Sequence, residues 1–510
     1  MRRYVFAALL ALLCLSVVVS AAPKSGGALR VGVHRDVAGL EPHITYGASS
    51  YIVQQNVYEN LLSYEPPDGH IEGQLAVSWE IVDPTTYMFY LREGVVFHDG
   101  SGFDAHDVKF SLERILDPGT GATLSKQLGC IESVVVVDSY TVQVNLSEPN
   151  AVLLSLLASI GAPMVDAEWF AEGHDPTQEM NGTGPFRFVE FEPGLNTILE
   201  KNENYWREGM PYLDRLVVIP FADDSARINA LLSGEVQFIE YVPWVDFVSL
   251  DGNPDFSLYK GFTPFNLVRF NVTEPPFDDV LVRQAMNYMI DRDELILLAF
   301  GGQGIPIKAG LLYPGTPFYS EKNERWEYDP DKALSLLQEA GYSSFSDLSF
   351  VLKCATVTVH TDSAEAIQGL LSGLGVDVTL EYVDVPTLLD YRKNGGYAAC
   401  MDGLSLSYFD PDAYSYYFET GAIGHAAGGD FSDAALDVLL AAGRVEVDSA
   451  KRAQIYEAFE DRLLDLAPWF FGFFRPQGEA MDASVMGYER LPADLGTTST
   501  SRMEYLWLDQ

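Results

Sequence analysis

An α/β fold is the class this sequence predicts, and three observations carry the prediction. Between residues 348 and 404 strand-like and helix-like segments alternate: strand 348–355, helix 362–374, strand 376–383, helix 386–393, strand 397–404. That alternation implies a mainly parallel sheet with helices on both faces. Upstream, 85–91 alternates as a strand, Glu93-Gly94 and Asp99-Gly100 mark turns, and Asp104 with Asp107 is spaced to cap a helix from Ala105. The third observation is the pairing of a strand at 28–33 with a helix at 50–62.

The other elements follow in order. Segments 134–137 and 141–146, separated by Asp138-Ser139-Tyr140, read as a hairpin. Asn181-Gly182-Thr183-Gly184-Pro185-Phe186 is a tight turn, with a strand starting at Phe188. Asp278 is placed to cap a helix in which Leu281, Ala285, Tyr288 and Met289 share one apolar stripe. Further on, Pro330 takes a first helical position, Leu334 and Leu337 give the buried face, and Gly341 ends the helix.

Met1-Arg2-Arg3, the apolar run 4–19 and the small residues Ser20, Ala21 and Ala22 read as a cleaved secretory signal over 1–22, through either the general or the twin-arginine route. Cys14 follows Leu13, where a lipoprotein cleavage site wants a small residue, so lipid attachment is not expected. The mature chain is therefore expected in the periplasm or outside the cell, as a monomer. Its 73 acidic against 32 basic residues, a formal net charge of −41, exclude nucleic acid and anionic membranes as partners. With 47% apolar residues, the mature chain can fill two or three cores. Besides Cys14 there are only Cys130, Cys354 and Cys400, the last two in candidate buried strands and expected as free thiols. The eight His form no HExxH and none lies beside a Gly-x-Ser-x-Gly elbow, so no metal, cofactor or hydrolase chemistry is indicated.

The stretch 75–113, LAVSWEIVDPTTYMFYLREGVVFHDGSGFDAHDVKFSLE, resembles the signature of family 5 extracellular solute-binding proteins, the receptors that feed ABC importers. GTGPF, KNENYW, PYLD, RFNVTEPPFDDVLVRQAMNYMIDRDEL, YDPDKALSLLQEAGY and FDPDAY follow in that family's order. The resemblance implies a periplasmic-binding-protein type II fold: two lobes, an extra inserted domain and a hinge-closing cleft. Domain I would comprise 23–57, 188–268 and 488–510, domain II 58–187, and domain III 269–487.

In open α/β sheets ligands sit beyond the carboxyl ends of strands, which singles out the loops after residues 33, 355 and 404. The last carries the rings and hydroxyls of 404–418, able to stack on and hydrogen-bond a sugar or an extended peptide. The candidate solute contacts are Tyr46, Trp244, Thr361, Ser405, Ser407, Tyr408, Phe409 and Tyr414. Relatives that take dipeptides hold the amino terminus with a carboxylate where this chain has Ser407, and the carboxyl terminus with an arginine near the present Thr361 and Asp362. Without both partners a buried zwitterion is disfavoured, which leaves longer peptides held by backbone, or oligosaccharides, as the expected solutes. The partner implied is a cognate permease. The competing class is an exported enzyme of glycosidase type using two cleft carboxylates.

Self-repulsion among −41 formal charges makes salt stabilising. Melting temperature is expected to rise from low to molar sodium chloride, and a flat or falling curve would remove the salt-adaptation reading.

Overall fold

The structure is a computed structural model that describes residues 22–44, 47–66, 69–262, 264–316, 318–406, 410–421, 431–491 and 503–509. It opens with β1 (Ala28–Val33) and α1 (Ala48–Val57). An inserted unit follows: the hairpin β2 (Leu62–Glu65) and β3 (His70–Gly73), then β4 (Ala76–Asp83), β5 (Thr86–Leu91), α2 (Ala105–Leu116), β6 (Ile131–Asp138) and β7 (Thr141–Leu146). The chain returns to the first lobe as β8 (Phe186–Glu192), β9 (Asn196–Lys201), β10 (Arg215–Pro220), α3 (Asp224–Leu232), β11 (Phe238–Ile239) and β12 (Phe256–Gly261). The second lobe holds β13 (Phe265–Phe270), α4 (Val280–Met289), α5 (Arg292–Phe300), β14 (Ile305–Pro306), α6 (Pro330–Glu339), β15 (Ser349–Ala355), α7 (Thr358–Leu374) and β16 (Asp377–Val383). It continues with α8 (Val385–Asn394), β17 (Ala399–Leu404), α9 (Ala434–Val445), α10 (Ser449–Leu466) and β18 (Trp469–Phe474). The chain finally re-enters the first lobe as β19 (Gln477–Asp482), β20 (Val485–Met486) and β21 (Trp507–Leu508).

The first lobe is a seven-stranded sheet of order β12-β19-β11-β1-β10-β9-β8, in which β1 is parallel to both β10 and β11. The second is a six-stranded sheet of order β14-β18-β13-β17-β15-β16. Here the expectation of a mainly parallel sheet is corrected. Among the described residues of this sheet, parallel pairing is confined to β15 with β16 and β17, because those three strands are joined by the crossover helices α7 and α8. The strands β13 and β18, which carry the chain into and out of the lobe, pair antiparallel with each other, and β13 does so with β17. The chain leaves one sheet at the end of β12 (Gly261) to enter the other at Phe265, and returns between Phe474 and Gln477. The amide of Arg475 donates to the carbonyl of Pro264 at 2.7 Å and ties the two passages together.

The alternating apolar residues of β5 are buried against α2 as expected, and Asp104 and Asp107 form a reciprocal capping box. Asp279, not Asp278, caps α4, its side chain accepting from the Leu281 amide at 2.8 Å. α7 begins at Thr358 rather than 362: Thr358 and Val359, β-branched residues that favour extended chain, form its first turn, while Val357 before them stays extended. Cys354 and Cys400 are buried free thiols.

The sequence motifs converge on one buried carboxyl. Glu59 accepts from Thr183 Oγ1 at 2.8 Å, Tyr205 Oη at 3.0 Å and Trp206 Nε1 at 2.9 Å, joining the GTGPF and KNENYW segments. Gly182 is required because a Cβ there would lie 2.0 Å from the Val57 carbonyl oxygen. His98 also pins this junction, its ring 3.0 Å from the Gly184 carbonyl oxygen.

Burial pushes the carboxyls of Glu59 and Glu460 up to about 7 against the pull of their hydrogen-bond donors. Their folded values exceed the unfolded value of 4.5, so the folded state binds the extra protons and stability falls as pH rises from about 4.5 to 7. The buried rings of His43, His98 and His360, lowered by burial to about 4, oppose this over the same window. The carboxyl contribution is therefore read as a difference: in calorimetric scans at fixed salt, the melting temperature of the wild type relative to Glu460→Gln should rise by roughly 1–3 °C from pH 8 to pH 5.5.

Candidate functional site

The first wall of the cleft is built at the carboxyl ends of β1 and β11. The β10–α3–β11 connection passes over β1, which leaves a crevice at these strand ends. Buried Arg227 of α3 donates to the carbonyls of Phe221, Glu240 and Tyr241 at 3.0, 3.2 and 2.6 Å, which fixes the loop after β11. Within it Tyr241 holds a left-handed backbone, φ 50°, a strained conformation for a residue with a side chain. His34, just after β1, stacks on the Tyr241 ring at 4.1 Å and sits 2.7 Å from Glu240 Oε1. Ser49, in the first turn of α1, donates to the same oxygen at 2.9 Å.

The facing wall repeats this plan around β15, flanked in parallel by β16 and β17. Asp402, on β17, is buried with Arg269 at 2.5 Å and Arg392 of α8 at 3.3 Å. Burial pushes its carboxyl up, but Arg392, Arg269 and His360 outweigh that and hold it below the ordinary range. Gly403 lets His360 of α7 approach, since a Cβ there would lie 2.9 Å from His360 Nε2. Burial lowers His360 to about 4, with Asp402 raising it and Arg475, Arg392 and Arg35 lowering it. The ring is therefore neutral near pH 7, and its Nδ1 has no hydrogen-bond partner among the described residues.

Between the walls lies a cleft of about 790 Å³, with Arg475 and Gln477 of the second passage on its surface. Residues after all three strand ends chosen from sequence, His34, Thr356 and Ser405, line it. Trp244 also lines it and packs on Phe300 of the opposite lobe, ring centroids 5.6 Å apart. Thr361 lies one residue from the lining groups His360 and Asp362, with its hydroxyl turned back to the Thr358 carbonyl at 3.1 Å. Tyr414 is placed in the core of the second lobe rather than on the cleft wall. It is 0% exposed, donates to Glu460 and accepts from the Leu311 amide at 2.5 Å. Tyr46, Ser407, Tyr408 and Phe409 lie outside the described residues. Sequence reasoning missed Arg35, Tyr241, His360, Arg392 and Arg475. Of these, only Arg35 carried a signal, its place directly behind a strand chosen as a cleft edge.

Two α/β lobes joined by a double passage, with a cleft at the strand ends of both, define a solute-binding protein of the periplasmic type II class. Residues 70–425 match the family described as bacterial extracellular solute-binding proteins, family 5 Middle, and the chain belongs to that family. The glutathione-binding protein GsiB of Pectobacterium atrosepticum is 30% identical over 481 residues, 91% of this chain and 92% of that protein. The heme-binding protein A of Haemophilus influenzae is 30% identical over 88% of this chain and 89% of its own length. Among solved structures, AgaA of A. tumefaciens R10 in complex with agropinic acid superposes with a TM-score of 0.84 at 31% identity, over 95% of this chain and 99% of that one. DppA of Helicobacter pylori in complex with the peptide STSA gives 0.83 at 25% identity, over 96% and 99%.

Asp402 neutralises an arginine that is 0% exposed, so Asp402→Asn strands a buried charge. Urea unfolding should show a loss of about 3–5 kcal/mol. Arg392→Gln, which leaves the Arg269–Asp402 pair in place, should cost far less.

Proposed function

We propose that this chain is the extracytoplasmic receptor of an ABC importer. It captures a small peptide or peptide-like solute between its lobes and presents the closed form to a cognate permease. The observation that carries the reading is a cleft shared by two lobes that, among the described residues, are linked by the connections from β12 to β13 and from β18 to β19. Rotation about two short segments closes the lobes without disturbing either sheet, which is the hinge motion of such receptors. Lobe-to-lobe contacts are already present: Trp244 on Phe300, the Ala151 amide on the Arg444 carbonyl at 2.8 Å, and Lys126 with Glu419 at 2.9 Å. The solute class is supported by a relative named for glutathione binding and by a neighbour solved with the peptide STSA.

Small-angle scattering with and without glutathione or a tripeptide should show a smaller radius of gyration at saturation, with Trp244 emission changing in parallel. An unchanged radius with saturable binding would refute closure, and turnover of the solute would favour the enzyme class instead.

A further inference from the structure

The segment 410–414 of the second lobe is held down by its own lobe at alternate positions. Asp410 meets Arg452 of α10 in a fork at 2.5 and 2.6 Å, Asp412 pairs with Arg444 of α9 at 3.1 Å, and Tyr414 donates to Glu460. Ala413, between these anchors, is 0% exposed and packs into the core of the inserted unit rather than that of its own lobe. Leu406, just upstream, packs against both cores.

Two polar contacts flank this apolar one. The carbonyl of Arg444 lies in the last turn of α9, where helix carbonyls lack an intrahelical donor, and it accepts from the Ala151 amide of the inserted unit at 2.8 Å. Buried Asn150 holds the turn that presents this amide, its Oδ1 accepting from the Val152 amide at 2.8 Å. Glu419 accepts from Lys126 of the inserted unit at 2.9 Å with one carboxylate oxygen and from Arg444 at 3.4 Å with the other.

The inserted unit moves with the first lobe. Glu59 ties the two through Thr183, Tyr205 and Trp206, and both terminal nitrogens of Arg114 on α2 donate to Glu41 at 2.8 Å. Opening of the lobes about their two connecting segments therefore pulls Lys126 and Ala151 away from Glu419 and Arg444. Among the described residues, the cleft lining excludes Lys126, Ala151, Ala413, Glu419 and Arg444, so this contact is made without touching the solute.

We propose that the inserted unit is a clasp for the closed form, in which Lys126 and Ala151 grip Glu419 and Arg444 around Ala413. The grip sets how far closure is favoured, and with it the affinity for every solute the cleft accepts. The proposal rests on the receptor reading above and adds positioning residues remote from the solute. A change in the closed fraction multiplies all affinities by one factor, whereas a change in a solute contact alters selectivity. Because the clasp must break before the solute leaves, its loss falls mainly on the dissociation rate.

The test titrates glutathione, tri-alanine and a tetrapeptide into the full mature chain by calorimetry, with stopped-flow tryptophan emission for the rates. Lys126→Glu, which sets like charges together, should weaken each solute that closes the wild type by about threefold to fivefold, and Ala413→Leu, which wedges the apolar contact, by about tenfold or more. Each variant should act by the same factor on every such solute, chiefly through faster dissociation. Lys126→Arg should keep wild-type affinity, and molar salt should narrow the gap between wild type and Lys126→Glu. Lys126 is half exposed, so its variants carry the test should Ala413→Leu fail to fold by circular dichroism. Affinities untouched by these variants, or factors that differ between solutes, overturn the clasp and leave the receptor reading standing. If no solute binds and closes the wild type, both fall.

Discussion

The structure depends first on the double passage of the chain between its two sheets. β12 and β19 are neighbours in one sheet and β13 and β18 in the other, so the two crossing segments run side by side. Pro264 and Pro476 lie in these segments and have no amide hydrogen to give to a ladder. The hydrogen bond from Arg475 N to Pro264 O holds the crossing together where the two strand pairs would otherwise merge into one sheet. A break of this kind separates two cores that pack independently, and it leaves the strand ends of both facing one volume. The cleft and the hinge are therefore two consequences of one interruption in strand pairing.

Each wall is then stiffened by a buried charge placed behind it. In the first lobe Arg227 gathers three backbone carbonyls and holds Tyr241 in its left-handed conformation. In the second, Asp402 is clamped by Arg269 and Arg392. Such groups are stable only while every partner is in place, which restricts each wall to a single arrangement. A rigid wall suits a receptor, because closure then moves lobes as bodies and the polar groups arrive at the solute already oriented.

Much of this was legible from local chemistry. The α/β class, the capping box on α2 and the three cleft-edge strand ends follow from periodicity, turn residues and the geometry of open sheets, all set within a few residues of each other. What escaped were features decided by distant neighbours. Tyr414 sits in a ring-rich segment that looks like a binding surface, and only the approach of Glu460 and the Leu311 amide makes it core. Arg475 has a cleft-facing role because Tyr241 and Pro264 come beside it, from positions more than 200 residues upstream. The parallel sheet was over-extended for the same reason, since alternation reports the crossover helices and says nothing of strands that enter from another lobe.

The acidic composition sharpens the meaning of the cleft. With 73 acids against 32 bases, an Asp near any helix start is the ordinary outcome in this chain, and the eight capped helices show it. Absence of a side-chain cap at both helices that open on the cleft therefore departs from the chain's own habit. At α1 the buried carboxylate of Glu240 stands beside the first turn instead, accepting from Ser49 Oγ at 2.9 Å and lying 2.7 Å from the His34 ring. An acid supplied from the neighbouring loop ties that helix to the loop after β11, so the missing local cap is replaced by a contact that fixes the cleft wall.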